Sequence, residues 1–380
     1  MTFTFSSSVL AKAVKSCCQV INPKAALPVM QNILLSLTDT GKLFLTAGNE
    51  TESVTLELEP AVSSDAAEIM VDARTFLDAL NNLFEQPVTI TVTHKEGTTE
   101  GTLTLIHQDG NTFIPAYFDT DIYPDMGLHQ QINDVCAVDA EELVSGIEKV
   151  KWAVSKDGYR LALENICLER EKGTCFNLIA TNGHVLMQSR HDTNQPSDDE
   201  KQILIPQGIA NILPNLIVPS SVDEHIKIAT TDNLCRMQQD GWVLYYTLPS
   251  VQFPKYKSVI PENHTTAVTV DRRKLMRGLK YVLSFSTDIM QVDIDFLTGT
   301  IELFANNLEF QKQARYTIAS TLEGEPLKIG VSGANLLNIL KKFTSEEVTI
   351  KATTADRAFI VQSIENSSLM GLSMPMLRNE

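Results

Sequence analysis

The chain has 380 residues, 43% hydrophobic and 21% charged, with 18 glycines and 15 prolines scattered along it, a balance that excludes bulk disorder and collagen-like order and allows two to four buried cores. Asp and Glu number 47 against 31 Lys and Arg, and the net charge of −16 argues against a surface that grips nucleic acid all over, though not against a local basic face. Apolar runs such as Ile33-Leu34-Leu35 and Ile203-Leu204-Ile205 fall far short of the roughly 20 residues that span a bilayer, and residues 1–6 carry neither a basic leader nor an apolar signal core, so a cytoplasmic protein is expected.

In chain order, one motif recurs six times: an apolar residue, a helix-starting Ser, Asp or Pro, then apolar residues one and two turns on. Ser6 leads to Leu10 and Val14, and Asp72 to Phe76 and Leu80. Asp139 leads to Leu143 and Ile147, Asp271 to Leu275 and Leu279, and Ser332 to Leu336 and Leu340. The Pro206 copy fits less well, with Ile209 and Leu213 carrying its face; Pro at a helix start is itself expected. The anchors are spaced 66, 67, 67, 65 and 61 residues apart. Four-residue spacing puts both side chains on one helix face, so each copy opens with a short amphipathic helix.

After the helices the pattern changes to period two, as in 88–92, 102–106, 347–351 and 359–361, with turns at Gly97 and Gly110. Helix followed by antiparallel strands, six times over, predicts an α+β fold. Pairing the copies gives three similar domains, 1–126, 127–260 and 261–380. The joints fall near Met126-Gly127 and Ile260-Pro261-Glu262, and neither is a long linker, so a rigidly connected array is expected.

Six cysteines (Cys17, Cys18, Cys136, Cys167, Cys175, Cys235) form no C-x-x-C pair and read as reduced, mostly buried thiols. Seven scattered histidines offer no H-x-x-x-H or H-E-x-x-H, so neither a metal nor a cofactor is expected. His184 beside Gly183, with Asp192 and Cys175 nearby, is the one cluster that invites catalysis, but no G-x-S-x-G, P-loop or dinucleotide fingerprint accompanies it, and the chain is expected not to be an enzyme.

Four segments in order resemble the bacterial DNA polymerase III beta subunit, the sliding-clamp family. Residues 27–35, L-P-V-M-Q-N-I-L-L, are similar to its L-P-[IV]-x-x-N-[IVL]-L-L, and residues 180–186, A-T-N-G-H-V-L, to its A-T-D-G-H-R-L. Residues 253–261, F-P-K-Y-K-S-V-I-P, resemble F-P-[DN]-Y-x-[RK]-[VL]-[IL]-P, and Met374-Pro375-Met376 resembles the closing M-P-M. The resemblance implies two chains joined head to tail in a ring, with helices lining a hole around double-stranded DNA and sheets forming the outer rim. Such a ring tethers the polymerase, and since topology does the holding, weak sequence-blind phosphate contacts suffice despite the acidity.

Candidate DNA contacts are Lys12 and Lys15 on the first helix, then Lys149, Lys151, Lys156 and Arg160 in and after the third. The fifth helix supplies the strongest group, Arg272, Arg273, Lys274, Arg277 and Lys280; Lys341 and Lys342 are assigned to the sixth, and Lys24 matches a basic loop position. A pocket for short hydrophobic peptides of the polymerase, clamp loader and repair proteins is implied at Leu163, Thr181, Gly183, His184, Leu186, Pro254, Val259, Met374, Pro375 and Met376. The homodimer contact is implied at Phe113 against Val282 and Leu283, with less charge pairing and more apolar burial because 308–313 reads L-E-F-Q-K-Q.

The chain departs from the family pattern at Val185, Ser258 and the ending Leu377-Arg378-Asn379-Glu380, all read as pocket-rim changes. They suggest a divergent or phage-encoded member whose pocket prefers peptides with fewer acidic groups. The alternative reading is a multi-partner protein scaffold that does not encircle DNA.

Overall fold

The computed structural model describes residues 1–124, 132, 134–197, 200–217, 224–365 and 367–377. The chain divides into two compact units, residues 1–141 with 208–249 and residues 142–207 with 250–380. The expected joint at Met126-Gly127 and the terminal Arg378-Asn379-Glu380 lie outside the described residues.

Six α-helices are present among the described residues: α1 Ser7–Val20, α2 Ala73–Asn81, α3 Ala140–Val150, α4 Gln207–Leu216, α5 Arg272–Leu283 and α6 Gly333–Leu340. Each begins one residue after an anchor read from the sequence. The chemistry of the start differs: Asp72 accepts the Thr75 N–H at 2.8 Å, Asp271 that of Lys274 at 2.8 Å, and Ser332 that of Asn335 at 3.4 Å. Ser6 makes no such cap and donates instead to Glu85. All twelve apolar positions of the repeat are buried, those of the irregular Pro206 copy included.

A short strand runs directly into each helix, and the others pair antiparallel around it. In the first unit they form one sheet of 13 strands, in the second one of 12. Most strands alternate, as in Asn32–Leu37 and Gln291–Leu297, with one face toward the helices and the other partly wet. Asn165–Arg170 is buried along its whole length. Its second face is covered by the segment 251–260, whose Phe253 and Tyr256 join Cys167, Ile179, Leu186, Ile360 and Leu372 in one apolar cluster.

Glycine sets how closely two of the helices approach their sheets. A Cβ at Gly146 of α3 would lie 2.4 Å from Leu178 and 2.6 Å from His191, and one at Gly278 of α5 would lie 2.7 Å from Tyr316 and 2.9 Å from Leu303. Both glycines stand seven residues after their anchor, a repeat feature that the apolar pattern alone does not reveal.

All six cysteines are free thiols; Cys17, Cys167, Cys175 and Cys235 are buried, Cys18 and Cys136 half-buried. Burial pushes the Cys18 thiol up to about 11. Among the described residues no helix is long and apolar enough to cross a membrane, and no three His, Cys, Asp or Glu side chains are grouped to hold a metal ion.

Candidate functional site

Helix α5 carries the basic face. Asp271 fixes its first turn, and Leu275, Gly278, Leu279 and Val282 face the sheet, which leaves Arg273, Arg277 and Lys280 on the opposite, exposed side. Together with Arg272 and Met276 they line a groove of about 360 Å³. Arg272 itself is half-buried: its Nε donates to the Ser345 carbonyl at 2.7 Å, so it ties the strand-to-helix corner rather than extending outward. Lys274 is exposed and lies 4.0 Å from Asp271.

Lys12, Lys15, Lys24 and Lys156 are exposed and Lys149 half-buried. Lys151 is drawn to Glu148 at 2.5 Å, within a short 3-10 turn after α3. Lys341 and Lys342 fall just beyond α6, not on it; Lys342 donates to the Glu148 carbonyl at 2.7 Å, and partial burial holds its ammonium below the usual lysine value.

Arg160 departs most from the sequence reading. Its Nε and one terminal nitrogen both reach Asp157, at 2.8 and 2.6 Å, and a Cβ on Gly183 would lie 2.8 Å from the guanidinium. Arg160 therefore sits against the Gly183 turn. Asp157 also accepts the Tyr159 and Arg160 N–H groups; the Tyr159 bond, then the guanidinium, with a smaller part from the Arg160 N–H, hold its carboxyl well below the usual aspartate range.

The Gly183 turn joins strands Gly173–Thr181 and Val185–Ser197. Gly183 adopts φ +87°, the left-handed region that a side chain would strain. Asn182 Oδ1 accepts the N–H of His184 and Val185 at 2.9 and 3.0 Å, and the Thr181 hydroxyl donates to the Val185 carbonyl at 2.6 Å. Strand Leu369–Ser373 pairs with this hairpin, Val185 opposite Ser373, and the Met374 N–H continues the ladder to the His184 carbonyl at 2.8 Å. That pairing brings the terminal Met-Pro-Met beside a turn almost two hundred residues earlier. Met376 then bonds the Gly330 carbonyl at 2.8 Å.

Around this turn Gly183, His184, Pro254, Val259 and Met374 are exposed, Leu163, Pro375 and Met376 half-buried, and Thr181 and Leu186 buried. Leu186 belongs to the apolar cluster beneath the 251–260 segment, which links that segment to the hairpin. Leu163 is tied to the Arg160 carbonyl through its N–H at 2.8 Å. Two expectations need correcting. Val185 is buried, not a rim residue, on a strand flanked by paired strands on both sides. Val282 is fully buried beneath α5 and presents no surface, whereas Leu283 is half-buried.

Phe113 is 68% exposed on strand Gly110–Tyr117, which pairs along its length with Glu100–His107 but meets Ala67–Asp72 only through Ala116 and Tyr117. Among the described residues, 110–115 thus keep an open edge. In the second unit Lys312–Gly324 pairs through 312–319 on one side and through 320–324 on the other, leaving 312–319 an open edge as well among the described residues. Beside it Tyr281 lies 5.6 Å from Phe285 and 5.7 Å from Tyr316 by ring centroids. Sequence reading missed these aromatics, whose grouping depends on α5 meeting the distant 312–324 strand.

The catalytic rival is not assembled. His184 is exposed on its turn, whereas Cys175 is buried next to Arg190 and Glu171. A different polar chain does form, Ser189 Oγ 2.8 Å from His191 Nε2 with His191 Nδ1 on Glu142, but Ser189 is fully buried, and the chain ties α3 to its sheet.

Six helix-and-sheet half-units and a helix with an outward basic face define a repeated α+β protein of the clamp class. Family models described as DNA polymerase III beta subunit, N-terminal, central and C-terminal domain, match residues 1–126, 137–255 and 257–377, and the chain belongs to this family. A beta sliding clamp of Vibrio cholerae is 25% identical over 382 residues, covering 99% of this chain and 100% of the relative. That of Halalkalibacterium halodurans is 23% identical and covers 99% of both. The crystal structure of a sliding clamp from Pseudomonas aeruginosa bound to griselimycin matches with a TM-score of 0.89 at 22% identity, and the beta subunit from Thermotoga maritima with 0.87 at 19%, each over the whole of both chains. The central match, 137–255, draws on both compact units.

Proposed function

We propose that this chain is a DNA sliding clamp, the non-catalytic processivity factor of a DNA polymerase, in which two copies close head to tail around duplex DNA. The single observation that carries this reading is the end-to-end match to all three domains of the beta subunit family. The scaffold alternative is not favoured. Domain boundaries near 126/127 and 260/261 and a cytoplasmic location go with the reading.

Its physical support lies in three features. Arg273, Arg277 and Lys280, with Lys12, Lys15, Lys24, Lys149 and Lys156, offer sequence-blind phosphate contacts on an acidic chain, while Lys151, Arg160 and Arg272 are engaged within the protein. The turn at Gly183 with Leu163, Thr181, His184, Leu186, Pro254, Val259 and Met374-Pro375-Met376 forms the pocket for short hydrophobic peptides of the polymerase, clamp loader and other partners, and Arg160 supplies its cation. The open edges at 110–115 and 312–319 allow antiparallel pairing between copies, with Phe113 meeting Leu283, Tyr281 and Tyr316.

Negative-stain microscopy with native mass tests the assembly. A particle of about twice the 42.1 kDa chain mass with an open centre is expected. A compact monomer that fails to stay on circular DNA in the presence of a loader would overturn the reading.

A further inference from the structure

The segment 251–260 carries two of the residues assigned to the peptide site, Pro254 and Val259, both exposed, and turns Phe253 and Tyr256 into the apolar cluster of the second unit. Among the described residues it pairs with no strand. Its backbone bonds are local, such as Ser258 N–H to the Lys255 carbonyl at 3.2 Å and Ile260 N–H to that of Lys257 at 3.4 Å. Apolar packing is non-directional, so it holds such a segment down without fixing where along the sheet it lies.

One polar cluster supplies that direction. Glu169, buried on the strand Asn165–Arg170, accepts Gln202 at 3.0 Å through Oε1, and the Tyr256 hydroxyl at 2.6 Å and the Lys257 ammonium at 3.1 Å through Oε2. Lys257 also donates to Glu171 Oε1 at 3.2 Å. An ammonium that touches carboxylates two residues apart on an extended chain has one place along it. The two pairs differ in weight: the Glu169 side chain is 9% exposed and that of Glu171 25%, and a buried carboxylate that loses its cation costs far more than an exposed pair gains.

We propose that Lys257 is a positioning residue of the peptide site: by bridging Glu169 and Glu171 it sets where 251–260 lies along the sheet, and so where Pro254 and Val259 are presented to a peptide that Lys257 itself does not touch. The inference rests on the pocket reading above. Two observations carry it: the ammonium is already engaged by both carboxylates, and the residues on either side of it in the chain, Tyr256 inward and Val259 outward, connect the bridge directly to the presented surface. A consequence separates this role from ligand contact. Peptide affinity depends on salt even when the peptide has no charge, because the screened pair is in the wall and not at the ligand.

Fluorescence anisotropy with a hexapeptide amide ending Leu-Phe, free of charged residues and carrying a neutral dye, tests it. Lys257→Met is expected to weaken binding about fivefold and Lys257→Arg to keep it within about twofold of the unchanged chain, since a guanidinium also spans two carboxylates. Glu171→Gln, at the more exposed end of the bridge, is expected to cost about twofold, and nothing further once residue 257 is already Met. Affinity of the unchanged chain is expected to fall as salt rises from about 50 to about 500 mM, and that of Lys257→Met to stay level. Full binding in Lys257→Met, equal weakness in Lys257→Arg, or additive losses in the double variant overturns the proposal, while hexapeptide binding by the unchanged chain leaves the pocket reading intact. If the unchanged chain does not bind the hexapeptide, the pocket reading fails, and hydrogen exchange decides the bridge: faster exchange of the Ser258 and Ile260 amides in Lys257→Met than in Lys257→Arg sustains it, and equal rates overturn it.

Discussion

Helix α5 and the hairpin turn at Gly183 are built in opposite ways. The cations of α5 come from one stretch of helix, Arg273, Arg277 and Lys280, aligned by helical spacing alone once Asp271 has set the first turn. The pocket proposed there would draw on residues between Leu163 and Met376, and the turn it is built on depends on a left-handed glycine, a hairpin and the pairing of the last strand. A face of the first kind is tuned by charge and tolerates change elsewhere. A site of the second kind is sensitive to any element that holds its segments in register.

The largest effect that would break this contrast is electrostatic. Reversing Arg273, Arg277 and Lys280 to Glu should cut retention on circular DNA by about a hundredfold at low salt and flatten the salt dependence, with peptide binding unchanged; equal loss of both would mean that α5 and the pocket are not independent. Next in size, Gly278→Ala should lower unfolding stability by about 1–3 kcal/mol in denaturant, because Tyr316 and Leu303 leave no room for the methyl group. Met374→Asp, at an exposed position, should weaken a hydrophobic peptide by about tenfold and leave DNA retention alone, as anisotropy would show.

Two smaller effects sharpen the pocket side. Gly183→Ala should cost about 1–2 kcal/mol in thermal unfolding, since φ +87° disfavours a Cβ and Arg160 must move. Asp157 gives the smallest and a pH-dependent one. Its folded carboxyl titrates below the ordinary value of 3.8, so the stabilisation it brings to Arg160 is present above 3.8 and lost only as pH falls through the lower folded value. The Tyr159 amide shift should therefore titrate with a midpoint below 3.8, and Asp157→Asn should abolish that titration.

The sequence by itself determined the architecture and the places where it starts. Six anchors each preceded a helix by one residue and all twelve repeat positions were buried, because caps and helical faces are local properties carried by residues three and four apart. The irregular Pro206 copy behaved like the others because Ile209 and Leu213 still share a face. Which cations stay free was not legible: Arg272 and Arg160 look like their neighbours in the chain, and only the tertiary fold puts a Ser345 carbonyl before one and Asp157 with Gly183 before the other. The aromatics Tyr281 and Tyr316 were not legible either, being brought together by a helix and a strand about thirty residues apart, whereas Val282, seven residues after Leu275 on the same helix face, could have been read as buried from spacing. Spacing along the chain encodes what one element presents. What two elements present together follows from strand register and helix docking, which are settled by packing across the whole sheet.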